Sequence, residues 1–211
     1  MKDKTVPDSV IRRLPLYLRV LEELKAKGTE IVSSQQLEDR IGLKATQFRK
    51  DLTYFGEFGV RGVGYEVDDL LNRLKKICGL NEEKTAILIG AGHIGTALGN
   101  FNQVNNNCKV RIKAIFDKDE DKVGSTIGQI EIQHTDKLPQ MIDELDPQIG
   151  IIAVPARAAH EITDILIEND MKVLLNFAPV HLDIPDDVYL QGVDLTLELQ
   201  NLLYYSQNVV E

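Results

Sequence analysis

The chain has 211 residues, of which 43% are hydrophobic and 27% charged, a composition that suits two compact domains and excludes a disordered or fibrous protein. It has no apolar run of membrane-spanning length, and its start lacks the apolar segment of a secretory signal, so we expect a cytoplasmic protein with no membrane partner. The net charge of −9 is uneven: residues 1–80 carry 15 basic and 12 acidic side chains and the remainder carries 9 and 21, which indicates separate partners for the two parts.

Helical patterns come first along the chain. Apolar residues recur at helical spacing from Leu14 to Leu24, and Gly28 ends this first predicted helix. The sequence from Ser33 to Gln36 matches a capping box, which predicts a short second helix that Gly42 closes. A third helix is predicted to begin at residue 44 or 45. Two helices joined by a glycine-containing turn predict a helix-turn-helix.

The third predicted helix has a buried side and a polar side. Ala45, Phe48, Leu52 and Phe55 share the apolar stripe. Glutamine and lysine side chains donate hydrogen bonds to base edges, and arginine and tyrosine reach phosphates, so the opposite side is typical of a DNA-recognition helix. The alternative is a solvated amphipathic helix without a partner. The side chains predicted to contact DNA are Thr46, Gln47, Arg49, Lys50 and Tyr54.

A glycine-rich stretch follows. Residues 58–67 predict a short hairpin with Arg61 and Gly62 near its tip, and an arginine in such a wing can enter a narrow minor groove. A fourth helix is predicted from an Asp68 cap to Gly79. We therefore predict a winged-helix DNA-binding domain over residues 1–80.

The next segment has the pattern of a buried strand, then glycines spaced G-x-G-x-x-G, then a helix. The three glycines permit a tight turn, close approach of phosphate oxygens to the backbone, and close packing of the helix on the strand. A bound pyrophosphate would therefore sit on the first amides of the helix. An ordinary ligand-free turn, or a site for coenzyme A or a mononucleotide, remains an alternative. The predicted contacts are Gly90, Ala91, Gly92, His93, Ile94 and Gly95.

A second strand pattern ends at Asp117, about 20 residues beyond the glycines. A carboxylate at this point accepts hydrogen bonds from the adenosine ribose and repels a 2′-phosphate, which favours NAD(H) over NADP(H). The neighbouring Lys118 weakens that exclusion. Asp117 and Lys118 are therefore included in the predicted cofactor site.

Further strand patterns at residues 130–133, 149–154 and 173–177 alternate mostly with helices, which predicts an α/β, Rossmann-like, doubly wound parallel sheet over residues 81–193. Two turns, at Val154-Pro155 and Ala178-Pro179, would lie near a nicotinamide at the carboxyl edge of this sheet. Both turns carry little charge. An apolar pocket penalises the cationic oxidised ring, so we expect NADH to be distinguished from NAD+.

The last segment, residues 194–211, predicts a helix that is apolar over most of its surface, more than packing on one neighbour requires. We therefore expect it to need a partner. Cys78 and Cys108 match no zinc-ligand spacing, so we predict reduced thiols and no metal site.

Five stretches of the sequence, besides the glycine turn, together resemble one known family: residues 13–19, 48–56, 61–65, 176–179 and 193–199. They make the chain similar to the Rex family of redox-sensing transcriptional repressors. The resemblance implies a homodimer that binds a pseudo-palindromic operator, represses fermentative or respiratory genes when NADH is scarce, and releases DNA when NADH binds. It also implies a C-terminal helix that is exchanged between the subunits as a domain swap.

The same resemblance assigns the switch between domains and subunits to Arg19, Phe101, Asp194 and Leu195. Arg19 and Asp194 would join the DNA-binding domain of one subunit to the terminal helix of the other; a simple surface pair is the alternative. Phe101 departs from the tyrosine common in the family, so a hydroxyl contact is missing there. Thr53 replaces the more usual serine.

An oxidoreductase is the rival from another class, and it needs a proton donor or acceptor beside the nicotinamide. His93 lies within the glycine turn, His160 is on a predicted helix surface, and no tyrosine is followed four residues later by lysine. We therefore predict a protein that is not an enzyme. A coenzyme A or other nucleotide-binding regulator remains the second alternative.

Overall fold

The computed structural model describes residues 6–60, 62–104 and 109–208. The chain divides into two compact units, Met1–Glu82 and Glu83–Glu211. Arg61 and Cys108, which the sequence analysis named, lie outside the described residues. Within the described part of the chain, no helix is both long and apolar enough to cross a membrane.

The first unit is helical with a two-stranded sheet. Its core forms where the apolar face of the second helix meets the helices that follow, and Tyr17, Phe48 and Leu74 are among its fully buried side chains. The elements are α1 (Asp8–Ile11), α2 (Leu14–Ala26), β1 (Ile31–Val32), α3 (Ser34–Ile41), α4 (Ala45–Leu52), β2 (Tyr65–Glu66) and α5 (Val67–Ile77).

The predicted helix-turn-helix is confirmed. Ser33 Oγ accepts a hydrogen bond from the Gln36 amide at 3.2 Å, and the Ser33 amide donates to Gln36 Oε1 at 2.8 Å, so the capping box opens α3 as expected. Gly42, at φ 73°, ends α3 in the left-handed conformation that favours glycine. The Ala45 amide at the start of α4 donates to Glu38 Oε2 of α3 at 2.8 Å, which fixes the two helices at their turn.

Three details of the first unit differ from the sequence prediction. An isolated antiparallel bridge joins Val60 to Gly64, and strand β2 pairs with β1, which the sequence analysis did not predict. Helix α5 begins at Val67, so Asp68 lies in its first turn and does not cap it. Helix α4 ends at Leu52, which places Tyr54 in the turn that follows.

The second unit is built on a seven-stranded sheet in the order β5-β6-β4-β3-β7-β8-β9. All neighbouring strands are parallel except β5, which pairs antiparallel with β6 at one edge. The elements are β3 (Lys84–Ile89), α6 (His93–Val104), β4 (Val110–Asp117), β5 (Thr126–Ile127), β6 (Ile130–His134), α7 (Leu138–Leu145), β7 (Ile149–Ile152), α8 (Ala156–Glu168), β8 (Val173–Asn176), β9 (Tyr189–Gly192) and α9 (Leu195–Asn208).

Apolar clusters cover both faces of this sheet. Along β3, Ile87 and Ile89 face the cluster that contains α7 and α8, whereas Ala86 and Leu88 face the cluster against which Leu98 of α6 packs. Alternate residues of a strand point to opposite faces, so helices on both sides require the continuous apolar run that β3 has. The doubly wound, mostly parallel sheet is therefore confirmed.

Helix α9 follows the last strand and has no buried residue in the single chain. Five leucines and the pair Tyr204-Tyr205 are between 55% and 66% exposed. Apolar side chains thus occupy an uncovered helix surface, which is rare unless another surface packs against it.

Candidate functional site

The candidate cofactor site is a cavity of about 600 Å³ at the carboxyl edge of the large sheet. It opens beside β3. The chain builds one half of the sheet outward from β3 through β4, and the other half outward through β7. Ligands of doubly wound sheets bind at this switch point in the strand order. The residues that line it and that the sequence analysis predicted are Gly90, Gly92, Asp117, Lys118, Val154 and Pro155.

The glycine turn at the mouth of the cavity depends on close backbone contacts. Gly90 has φ 105°, and a Cβ there would lie 2.4 Å from the Ala153 carbonyl oxygen. A Cβ on Gly95 would lie 1.8 Å from the Gly90 carbonyl oxygen. A Cβ on Gly92, in contrast, would meet no atom within 4 Å. The first and third glycines are thus needed for packing, whereas Gly92 leaves the backbone open to a ligand.

Asp117 supports this turn from the end of β4. It is 9% exposed, and its Oδ2 accepts hydrogen bonds from the Ala91 amide at 2.7 Å and from Lys122 Nζ at 3.1 Å. Burial alone would raise the pKa of Asp117, but hydrogen bonds from the Asp119 and Ala91 amides and from Lys122 hold the pKa below its usual value. Asp117 is therefore ionised and holds the turn in place.

The cavity also contains residues that sequence reasoning missed. Lys122 follows Asp117 by five positions, within a turn that has no helical or strand period, so no pattern indicated it. Arg157 lies in the first turn of α8 and adds a third cation to Lys118 and Lys122. The rest of the lining is mixed: its apolar part includes Pro139, Ala158, Ile162 and Ile165, and its polar part consists of Asp119, Thr135, Asp136 and Glu161.

Other predicted cofactor residues lie outside the lining of this cavity. Ala91 and Gly95 are buried in the turn, and His93 and Ile94 are exposed at the start of α6, where the first amides of a helix have no intrahelical acceptor. Ala178 is buried and Pro179 exposed in the turn after β8. Their roles as cofactor contacts stay predictions.

Asn176 fixes this second turn. The side chain is 3% exposed, its Oδ1 accepts from the Ala178 amide at 2.8 Å, and its Nδ2 donates to the Ala178 carbonyl oxygen at 3.0 Å. The turn that follows β8 is thereby held at the same edge of the sheet as the glycine turn. Sequence reasoning quoted this asparagine without giving it a role.

The candidate DNA interface is a groove of about 810 Å³ between α4 and residues 58–60 and 62–65. Arg49 and Thr53 of the recognition segment line it on one side, and Val60, Gly62 and Val63 line it on the other. The helix and wing predicted to contact DNA therefore border one concave surface. Arg61, which the sequence analysis also predicted to contact DNA, lies outside the described residues.

The predicted DNA contacts differ in exposure. Thr46, Arg49 and Lys50 are exposed, whereas Gln47 and Tyr54 are half-buried. Thr46 and Lys50 are exposed where phosphates and base edges can reach them. Arg49 donates from Nη1 to Ser34 Oγ and keeps further N–H groups for a phosphate. Gln47 donates from Nε2 to Asp51 Oδ1 at 2.6 Å, so the protein already uses one of the hydrogen-bonding groups of Gln47.

Asp51 is a fully buried carboxylate on α4. Its Oδ2 accepts from Arg13 Nε and from the Tyr17 hydroxyl, both at 2.6 Å, and its Oδ1 accepts from Arg13 Nη2 at 2.9 Å. Burial would raise the pKa of Asp51, yet the hydrogen bonds from Arg13, Tyr17 and Gln47 hold the pKa below its usual value. The network therefore contains an ionised pair, which the sequence analysis did not predict.

We expect this pair to stabilise the fold against acid. The folded pKa of Asp51 lies below its unfolded value, so its stabilising contribution is complete above the unfolded value and disappears as the pH falls through the folded one. Asp51→Asn should lower the free energy of unfolding at neutral pH by about 3 kcal/mol and flatten its pH dependence below about pH 4. Thermal unfolding followed by circular dichroism from pH 7 to pH 3 measures both effects; a stability curve matching that of Asp69→Asn, an exposed carboxylate on α5, would contradict the expectation.

The predicted switch residues lie in both units. Arg19 is exposed on α2, and Phe101 is 56% exposed on α6. Asp194 is half-buried and its Oδ1 accepts from the Thr196 amide at 2.8 Å, so it supports the start of α9 beside the exposed Leu195. Among the described residues, no group of three or more His, Cys, Asp and Glu side chains could hold a metal ion.

Comparison with protein families gives one match for each part of the chain. A family model described as "CoA binding domain" matches residues 81–180. A second model, described as "Putative DNA-binding protein N-terminus", matches residues 5–53. The first match thus lies in the unit with the parallel sheet, apart from its first residues, and the second match lies in the helical unit.

Comparison with whole proteins gives matches over nearly the full length. The "Redox-sensing transcriptional repressor Rex" of Natranaerobius thermophilus is 43% identical over 202 residues, 96% of this chain and 92% of that protein. The crystal structure of RSP with β-NAD+ and operator DNA has a TM-score of 0.91 at 36% identity and covers 97% of this chain and 94% of its own. RSP with β-NADH gives a TM-score of 0.86 at 35% identity, with 97% and 95% covered.

Proposed function

The chain belongs to the Rex family of redox-sensing transcriptional repressors, and we propose from this premise that it binds operator DNA as a homodimer and releases that DNA when it binds NADH. The observation that carries the proposal is that one chain has both a groove between a helix-turn-helix and its wing, and a cavity at a dinucleotide-type glycine turn. A dinucleotide-dependent enzyme needs only the cavity, and a structural protein needs neither.

The DNA-contact surface in this proposal is the exposed side of α4 together with the wing. Thr46, Arg49 and Lys50 would contact the major groove and its phosphates, and Arg61 and Gly62 would contact the adjacent minor groove. The exposure of the three α4 side chains supports this assignment, and so does the groove that Arg49 and Gly62 both line. RSP was crystallised with operator DNA, which supports operator DNA as the partner of this surface.

Lys50→Ala should weaken operator binding by about tenfold, because one lost contact to a base costs about 1–3 kcal/mol. Fluorescence polarisation with a selected operator duplex and a scrambled duplex measures the affinity and the discrimination between them. Lys76→Ala is the matched control, since it removes the same charge from an exposed position on α5. Equal affinities for the two variants would remove Lys50 from the interface.

The cofactor in this proposal is NADH, held with its pyrophosphate on the glycine turn and its adenosine ribose near Asp117. The open approach at Gly92 and the ionised Asp117 support this placement. Val154 and Pro155 give the cavity an apolar wall, which would penalise the cationic ring of NAD+ relative to neutral NADH. Ala178 and Pro179 would complete the nicotinamide contact once the dimer forms.

The dimer contact in this proposal is the uncovered apolar surface of α9. Leu199 and Leu203 are each more than 60% exposed, so we expect a partner subunit to pack against them. Exchange of α9 between subunits would bring Asp194 near Arg19 of the partner subunit's DNA-binding unit. Movement at that contact would then link the cofactor to the spacing of the two recognition helices.

The cofactor is a signal in this proposal and not a redox reagent, so the protein has no enzymatic activity. The curated relatives are transcriptional repressors, which supports that assignment. Steady consumption of NADH with a panel of small carbonyl compounds would contradict it. Because a repressor acts on chromosomal DNA, we also propose a cytoplasmic location, which cell fractionation would test.

A coenzyme A-responsive regulator is the second candidate, favoured by the family match over residues 81–180. One experiment separates the two. Operator duplexes are selected from a random pool, bound to the protein, and titrated with NADH, NAD+ or coenzyme A while fluorescence polarisation is followed. Release by NADH alone supports the proposal; release by coenzyme A and not by NADH would replace it.

A further inference from the structure

The buried network around Asp51 joins the recognition helix to one other helix. The carboxylate belongs to α4, while Arg13 and Tyr17, which donate three hydrogen bonds to it, belong to the start of α2. The remaining donor, Gln47, is one turn earlier on α4 itself. Asp51 therefore connects the two helices through directional bonds and an ion pair.

This connection fixes the rotation of α4 in a way that apolar packing does not. Phe48 and Leu52 also bury α4 against the core, but hydrophobic contacts are non-directional and permit small rotations and shifts. The two-point contact of the Arg13 guanidinium with the carboxylate is geometrically specific. A rotation of α4 would separate these atoms and leave a buried charge without a partner.

Asp51 has no direct access to DNA. Its side chain is 0% exposed, whereas Thr46, Arg49 and Lys50 are exposed. Any effect of Asp51 on operator affinity must therefore pass through the direction in which those side chains point. Removing a buried negative charge would otherwise favour a DNA complex slightly, by reducing repulsion from phosphates.

We propose that Asp51 is a positioning residue for operator recognition. Together with Arg13 and Tyr17 it sets the orientation of α4 on α2. It also holds the Gln47 side chain in a hydrogen bond within the protein, so that Gln47 supports the helix and does not select bases. This inference rests on the proposed DNA-binding function of α4. It predicts that loss of the network reduces specific affinity while sequence-independent phosphate contacts persist.

The test compares Asp51→Asn with Asp69→Asn in the full-length protein. Each variant loses one negative charge, but Asp69 is exposed on α5. At a temperature where circular dichroism shows both to be folded, Asp51→Asn should bind the operator about tenfold more weakly than the control. Its affinities for a scrambled duplex and for NADH should stay within about twofold of the control, whereas a loss of folded protein would lower all three together.

Tyr17→Phe provides a milder second variant, because it removes only the hydroxyl that donates to Asp51. It should weaken operator binding, and adding it to Asp51→Asn should produce little further loss, since both changes act on one network. If Asp51→Asn does not fold, Tyr17→Phe alone tests the positioning role. Operator affinity equal to that of the wild-type protein in Tyr17→Phe would then overturn the inference.

The outcomes separate this inference from the proposed function. If the wild-type protein binds no duplex, the proposed function fails and the positioning role fails with it. If the wild-type protein binds its operator and Asp51→Asn binds as well as Asp69→Asn, only the positioning role of Asp51 is overturned.

Discussion

Replacement of Leu199 and Leu203 by glutamate should convert the dimer to a monomer and lower operator affinity by at least about 100-fold. Both leucines are more than 60% exposed on α9, so neither substitution disturbs the core of the single chain. A charge in an apolar interface is costly to bury, whereas on a free helix it remains in water. A monomer can occupy only one half-site and loses the gain from simultaneous contact with two.

The matched control places the same two charges on the opposite side of the same helix, with Asn201→Glu and Asn208→Glu, both at exposed positions. Sedimentation or light scattering gives the oligomeric state, and fluorescence polarisation gives the operator affinity. We expect the control to remain dimeric and to bind the operator with nearly the wild-type affinity. A wild-type protein that is monomeric, or a leucine variant that remains a tightly binding dimer, would contradict the assignment of α9 to the dimer.

Gly92→Ala should reduce NADH affinity by at least about thirtyfold, roughly 2 kcal/mol, without loss of stability. The new methyl group meets no protein atom within 4 Å, and the backbone of Gly92 is not in the left-handed region. That open space is where the phosphate oxygens approach in the proposed complex. The variant should therefore stay bound to its operator at NADH concentrations that release the wild-type protein.

Two other glycines serve as comparisons for Gly92. Gly192→Ala adds the same methyl group to open space at the end of β9 and should change neither NADH affinity nor stability. Gly95→Ala places a methyl group against the Gly90 carbonyl and should lower the thermal midpoint as well as NADH affinity. Calorimetric titration and thermal unfolding distinguish the three. Normal NADH affinity in Gly92→Ala would refute the placement of the pyrophosphate.

Local sequence rules predicted the parts of the fold whose causes are local. The capping box at Ser33, the left-handed end of α3 at Gly42 and the strand–glycine–helix order around Gly90 all follow from short-range backbone chemistry. The parallel sheet also followed, because strands buried on both faces have continuous apolar runs that alternate with helices. These features alone locate the cavity and the recognition helix along the chain.

The contacts that the sequence did not predict are long-range. Pairing of β1 with β2 joins two-residue strands more than 30 positions apart, and so short a strand has no measurable period. The Asp51 network is similar, since its partners Arg13 and Tyr17 lie 38 and 34 positions away. Lys122 is the exception, because it lies only five positions after Asp117 and their contact depends on an irregular turn after β4. In the two long-range cases tertiary packing selects the partner, which local patterning does not encode.

The central claim is that NADH and operator DNA compete through the conformation of the dimer. Coupling between two ligands is reciprocal, so each must weaken the other by the same factor. A hundredfold effect corresponds to about 2.7 kcal/mol, which one rearranged interface can supply. Dependence on the reduced ring distinguishes this switch from simple displacement of DNA by an anionic ligand, because NAD+ and other nucleotides would also produce simple displacement.

The most direct test measures NADH affinity by calorimetric titration, once with the free dimer and once with the dimer saturated with operator duplex. Operator affinity is measured in parallel, with and without saturating NADH. We predict that the operator weakens NADH binding by about 100-fold, that NADH weakens operator binding by the same factor, and that NAD+ produces neither effect. NADH that binds the free and the DNA-bound dimer with equal affinity would contradict the account.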